Sequence, residues 1–203
     1  MKVIGITGGV GAGKSTVVSI IEKNVRTEYL HCDAIAHELM EPGGSAYQEL
    51  LRLFGEGIRN ADGTIHRGRL YEASFGAGRV KELNACVHPK VREAVEERIA
   101  ALRAAGFDGF VFIEAALFIE AGYKEICDEL WYVYAPEEVR RERLKRNRGY
   151  TDEKVDSIMG QQASEALFFE QCDFVLYNDS APEDCERHIM AQVRKHQNGE
   201  VVQ

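Results

Sequence analysis

Nine residues near the N-terminus, Gly8-Gly9-Val10-Gly11-Ala12-Gly13-Lys14-Ser15-Thr16, have the types and spacing that phosphate chemistry requires. They fit G-x-x-x-x-G-K-[ST], with Gly8, Gly13, Lys14 and Ser15 in the defining positions. Glycines let backbone N–H groups turn inward around phosphate oxygens, where a Cβ would obstruct. A helix that follows such a loop aims its unpaired amides and positive dipole end at the same anion. Gly11, Ala12 and Thr16 would complete the cradle. Lys14 would place a point charge near the β- and γ-phosphates, and the Ser15 hydroxyl would ligate Mg²⁺. The plain alternative is a glycine-rich turn with a chance lysine. The flanks decide against it: an apolar run at residues 3–7 precedes the motif, and Val17, Val18, Ile20 and Ile21 follow at helix spacing. The segment therefore reads as a site for a nucleoside triphosphate.

Two carboxylates and a run of cations extend this chemistry. Asp33 follows the apolar run at residues 29–32 and precedes a helical stretch. At the carboxyl end of a parallel strand it could accept the proton of an attacking hydroxyl or order a metal-bound water. The structural alternative is a helix N-cap. Glu114 closes Phe110-Val111-Phe112-Ile113 and resembles a Walker-B carboxylate; otherwise it is a strand-end acid meeting solvent or a cation. Glu120 carries less weight. Between Arg140 and Arg148 six of nine residues are cationic (Arg140, Arg141, Arg143, Lys145, Arg146, Arg148). Thr151-Asp152-Glu153 then reads as a new helix start. Such an arginine-rich hairpin suits a lid that neutralises a transferring phosphoryl group and excludes water. About half of these cations are expected instead on a solvated face, balanced by Glu137, Glu138 and Glu142.

These residues need a scaffold, and the pattern supplies one. Short apolar runs at residues 3–7, 29–32, 110–113, 130–134 and 174–177 are continuous rather than alternating, as in a parallel sheet covered on both faces. Strand–helix alternation predicts an α/β doubly wound fold with five parallel strands. Residues 35–105 read as mostly helical, with turns at Pro42-Gly43-Gly44 and Asp62-Gly63. Val91, Val95, Ile99 and Leu102 share one helix face there. The expected organisation is one domain over residues 1–203, with a helical acceptor-binding insertion at about 35–105 and a lid at about 140–165. A formal charge of −8 over 203 residues argues against bulk nucleic-acid binding. No apolar run approaches the roughly 20 residues of a membrane span, and the N-terminus lacks a signal-peptide pattern. Five scattered cysteines without a C-x-x-C pair suggest neither a zinc site nor a disulfide framework. A cytoplasmic protein with reduced thiols is the expectation. An Asn-Lys-x-Asp guanine-reading motif is absent from the sequence, which weighs against a GTPase switch. A kinase acting on another small molecule, such as a nucleoside, shikimate or a sugar acid, would share the nucleotide site.

Taken in order, the motifs resemble those of the dephospho-CoA kinase family. The opening Ile4-Gly5-Ile6-Thr7 into the glycine loop is similar to that family's start. Asp33 falls at the family's strand-end aspartate, within His31-Cys32-Asp33 where Asp-Ala-Asp is usual. Glu41-Pro42-Gly43, Leu53-Phe54-Gly55, Asp62-Gly63-Thr64-Ile65, Arg67, Leu70, Phe75 and His88-Pro89 follow in the order of its acceptor-binding region. The segment Glu114-Ala115-Ala116-Leu117-Phe118-Ile119-Glu120-Ala121-Gly122 resembles its third-strand motif, without the usual proline. Arg143-Leu144 fits the lid helix, and Gln161-Gln162 and Asp173 to Asn178 complete the match. The resemblance implies ATP-dependent phosphorylation of the ribose 3′-hydroxyl of dephospho-CoA. It implies Asp33, Lys14 and Arg143 as catalytic residues, Mg²⁺ at Ser15, and Asn178 where the fold closes around adenine. Arg67, His88 and Glu114 are implied on the acceptor side. For His88 the structural alternative is a helix-start cap with Pro89 at N1; for Arg67 it is a surface cation.

Overall fold

Five apolar runs become five strands in the computed structural model, which describes every residue except 116–117, 119–121, 161 and 198–203. They are β1 (Lys2–Thr7), β2 (Thr27–His31), β3 (Phe110–Glu114), β4 (Glu129–Tyr134) and β5 (Phe174–Tyr177). The sheet order is β2-β3-β1-β4-β5, and the β1–β3, β1–β4 and β4–β5 pairs are parallel. This is the α/β doubly wound architecture that the continuous apolar runs predict. Cys32 differs from expectation: it opens a helix instead of ending a strand, because Cys32 and Ile35, three apart, bury together on one helical face.

The chain divides into two compact units. The first comprises residues 1–29, 108–114 and 118–203. Ile4, Ile6, Phe112, Trp131 and Val133 project from the strands into one core. Val17 and Ile21 of α1 (Lys14–Asn24) close that core together with Ile189 and Val193 of α9 (Pro182–Gln197). Side chains alternate across a strand, so Gly5 faces the other way. A Cβ there would lie 2.2 Å from Phe118 Cζ, so the glycine makes room for a buried phenylalanine on the second face. The unit also holds α6 (Glu137–Arg148), α7 (Asp152–Met159) and α8 (Glu165–Gln171). Gly149 ends α6 in the left-handed region at φ 64°, and the Thr151 hydroxyl caps α7 by accepting from the Lys154 amide.

The second unit comprises residues 30–107 and 115–117. It is helical: α2 (Cys32–Met40), α3 (Tyr47–Phe54), α4 (Arg67–Tyr71) and α5 (Val80–Ala104), with a π-helical turn at Glu72–Gly76. Gly43 and Gly63, both at φ 92°, make the two expected turns. Val91, Val95 and Ile99 of α5 are buried, with Leu102 half-buried. Lys90–Glu49 at 2.6 Å and Arg98–Glu38 at 2.5 Å tie α5 to α3 and α2.

One expectation about α5 is overturned. The helix does not begin at His88-Pro89; it runs from Val80 straight through Pro89. His88 therefore sits in the helix interior and caps nothing. An interior proline forfeits the bond to the carbonyl four residues back, here that of Ala85. Ala85 and Pro89 are both exposed, so water can take up that carbonyl and the helix continues.

Candidate active site

The phosphate loop joins β1 to α1. Gly8, Gly11 and Gly13 hold positive φ (151°, 80° and 91°), the last two squarely in the region that disfavours a side chain. A Cβ on Gly13 would stand 2.2 Å from Asn178 Nδ2, and one on Gly11 would stand 2.8 Å from the Arg140 carbonyl. Space and conformation thus both demand glycine. Ala12 N–H bonds to Gly9 O at 3.1 Å and closes the turn. The amides of Gly11, Gly13 and Ser15 donate to no acceptor among the described residues. Amides left open at a helix start are what a phosphate needs. Lys14 Nζ reaches back over the loop to Gly8 O at 2.9 Å, and Ser15 and Thr16 are exposed in the first turn of α1. The cradle fits a polyphosphate.

Two predicted residues converge on the loop from elsewhere in the same unit. Asn178, at the end of β5 and 5 % exposed, donates its amide to Ala12 O at 2.7 Å. Arg143 of α6 donates to the same oxygen at 3.3 Å. Asn178 therefore shapes the phosphate loop directly. Glu114 lies at the end of β3 beside Ile6, where β1 runs out toward the loop. Its carboxylate accepts a bond from the Tyr29 hydroxyl.

Two further side chains contact the loop. Arg140, only 8 % exposed, lies over Gly9, where an added Cβ would meet its Nη1 at 2.2 Å, and its Nη2 pairs with Glu165 at 2.9 Å. Its Nε is buried and has no hydrogen-bond partner among the described residues. Gln162 Oε1 accepts from the Val10 amide at 3.0 Å. Tyr132 flanks this group, and its hydroxyl is pushed up to about 12, chiefly by burial and then by the nearby Glu165 charge. Sequence reading placed Arg140 among the lid cations and missed its burial. The available signal was the spacing of Arg140 and Leu144, one turn apart, which are the buried residues of α6. Much of the remaining cationic run is balanced locally, as expected: Arg141 by Glu137 and Asp156, Lys145 by Asp152, and Arg146 by Glu142. Glu120 and Gln161 lie outside the described residues.

The other predicted residues belong to the helical unit. Asp33 is exposed in the first turn of α2. His31, not Asp33, occupies the N-cap position, so capping does not explain the carboxylate. His88 is half-buried on α5; burial lowers its pKa, and the charge of Asp33 opposes that shift. Asp33 and His88 therefore act on each other across the packed α2 and α5 helices. Arg67 is exposed at the start of α4 and lines an open cleft of about 180 Å³ with Met40, Leu70, Tyr71 and Phe75. Among the described residues no group of three or more His, Cys, Asp or Glu is arranged to hold a metal. No helix among them is long and apolar enough to cross a membrane.

Comparison with known proteins gives this geometry its family. The family model of dephospho-CoA kinase matches residues 2–184. The dephospho-CoA kinase of Geobacter sulfurreducens is 35% identical over 190 residues, covering 93% of this chain and 95% of its own. That of Bacillus licheniformis is 36% identical over 190 residues, covering 92% of each. A solved Thermus thermophilus structure superposes with a TM-score of 0.79 at 31% identity, over 96% of this chain and 97% of its own. The dephospho-CoA kinase from Campylobacter jejuni, at 21% identity and a TM-score of 0.74 over 98% of both chains, shares the fold. The chain belongs to the dephospho-CoA kinase family.

Proposed function

We propose that the protein transfers the γ-phosphate of ATP to the ribose 3′-hydroxyl of dephospho-CoA, giving coenzyme A and ADP. The observation that carries this reading is a complete phosphate loop within a family match that spans residues 2–184. The loop amides of Gly11, Gly13 and Ser15 bind the β- and γ-phosphate oxygens, and Lys14 leaves Gly8 O to neutralise them. Ser15 would be the protein ligand for Mg²⁺, which when bound would supply charge neutralisation at the phosphoryl group. Arg143 adds a fixed cation at the loop and stabilises charge that grows in the transition state.

Asp33 takes the acceptor hydroxyl. The 3′-oxygen attacks the γ-phosphorus as the bond from phosphorus to the β,γ-bridging oxygen breaks, and the hydroxyl proton passes to the Asp33 carboxylate. His88 of α5 lies within electrostatic reach of that carboxylate. Glu114, fixed by Tyr29, orients groups at the end of β3. The deciding assay is ADP release with ATP and Mg²⁺, with dephospho-CoA, adenosine, shikimate or gluconate as acceptor. Turnover with dephospho-CoA alone is expected; preference for another acceptor would overturn the assignment while leaving the phosphate loop its role.

A further inference from the structure

Among the described residues a single Lys, Arg, Asp or Glu is buried, and it is Arg140, at 8% exposure. Burying a charge is costly, and an apolar side chain of similar volume often serves stability as well or better. Leu144, one turn further along α6, fills its own buried place in that way. A cation at this position therefore needs a reason beyond packing, and its surroundings supply one. Nη1 stands against Gly9, where a Cβ would meet it at 2.2 Å, and the Arg140 carbonyl lies close to Gly11. The guanidinium is thus built into the wall of the phosphate loop. Its ion-pair partner among the described residues is Glu165, on Nη2 at 2.9 Å. The Glu165 side chain is 42% exposed, so water and salt screen its charge far more than that of Arg140. Glu137, on the wall of the same cavity, is engaged by Arg141 at 2.7 Å. Tyr132 adds no negative charge there, because burial pushes its hydroxyl up to about 12. A shielded cation set against a hydrated anion leaves a fixed positive potential at the loop.

We infer that the Arg140–Glu165 pair is a specificity determinant of the nucleotide site: it sets how strongly the loop prefers a triphosphate to a diphosphate. The inference rests on the nucleotide role proposed above for the loop. The pair acts through the loop wall and its field, and the bonds to phosphate come from other groups. Each added phosphate brings more negative charge to the loop, so a cation fixed in its wall favours ATP over ADP and ADP over AMP. Glu165 tempers that preference, which lets the ADP left after transfer depart.

Titration calorimetry with ATP, ADP and AMP tests this, without acceptor and without divalent metal so that each nucleotide keeps its full charge. In Arg140→Met the Kd should rise about tenfold for ATP, about threefold for ADP and within about twofold for AMP. Glu165→Gln keeps the shape of the side chain and removes its charge, so the effect should have the opposite sign. ATP should then bind about threefold tighter, with AMP within about twofold of wild type. Arg140→Gln repeats the first measurement should the methionine variant fail to fold, and the sign of the Glu165→Gln effect needs no Arg140 variant. Equal weakening of all three nucleotides in the Arg140 variants would reduce the guanidinium to a brace for the loop and overturn the inference. Weaker ATP binding in Glu165→Gln, or affinity ratios unchanged from wild type, would overturn it as well. Wild-type protein that binds none of the three would show, before any variant is made, that the nucleotide reading of the loop is itself wrong.

Discussion

The Ala12 carbonyl collects two donors from distant parts of the sequence, Asn178 and Arg143, at 2.7 and 3.3 Å. Burying a carbonyl is tolerable only when it is bonded, and leaving it unmet costs about 1–3 kcal/mol. Asn178→Ala removes the shorter bond while Arg143 keeps the longer one, so a loss near the low end, about 1 kcal/mol, is expected in urea unfolding. The loop should also loosen, and KM for ATP should rise more than kcat falls. A larger fall in kcat than rise in KM would place Asn178 in the chemistry instead. Asp33→Asn should behave in the opposite way. Nucleotide affinity should be kept and kcat should fall by about 10²–10⁴, the range a general base supplies; unchanged turnover would remove Asp33 from catalysis. The glycines and Lys14 are legible in sequence because the loop's conformation admits few other residues. Arg140 is not: six cations crowd one run, and only the folded positions of Gly9 and Glu165 single out the buried one.

At the scale of elements, the pair Arg140–Glu165 joins α6 to α8 beside the phosphate loop, and its two members are unequally buried. The Arg140 side chain is 10% exposed and that of Glu165 42%. Breaking a buried pair is expensive mainly because a charge is left without a partner or water. Glu165→Ala strands the buried guanidinium and should cost about 2–4 kcal/mol, whereas Arg140→Met leaves a carboxylate that water can reach and should cost less than half as much. Equal losses in denaturant titrations of the two variants would contradict this asymmetry. The strands were readable because parallel strands buried on both faces give continuous apolar runs. The start of α5 was not readable. Proline usually marks a helix's first turn, and the sequence cannot show that Ala85 and Pro89 both face water, which is what lets the helix pass through. The Thr151 cap, a local matter of one hydroxyl and one amide, was readable and is present.

At the scale of the whole molecule, the helical unit links stability to pH through His88. Burial disfavours its charged form, so its pKa lies below 6.5 in the folded protein despite the opposing attraction of Asp33. In the unfolded chain the imidazole is solvated and takes up a proton near its ordinary value. As pH falls through that value the unfolded state binds a proton that the folded state refuses, so folding weakens. The contribution is fully present above about 6.5 and is progressively lost below it, until the folded-state group also titrates. The midpoint of thermal unfolding should therefore decline between about pH 7 and pH 5. His88→Gln, which keeps a polar side chain without the titration, should flatten part of that decline. Replacing the neighbouring carboxylate by Asp33→Asn should steepen it, since the attraction that holds the folded pKa up would be gone. A pH profile unchanged by either substitution would show that His88 is not the group that senses acid, and would remove its electrostatic coupling to Asp33 from the mechanism.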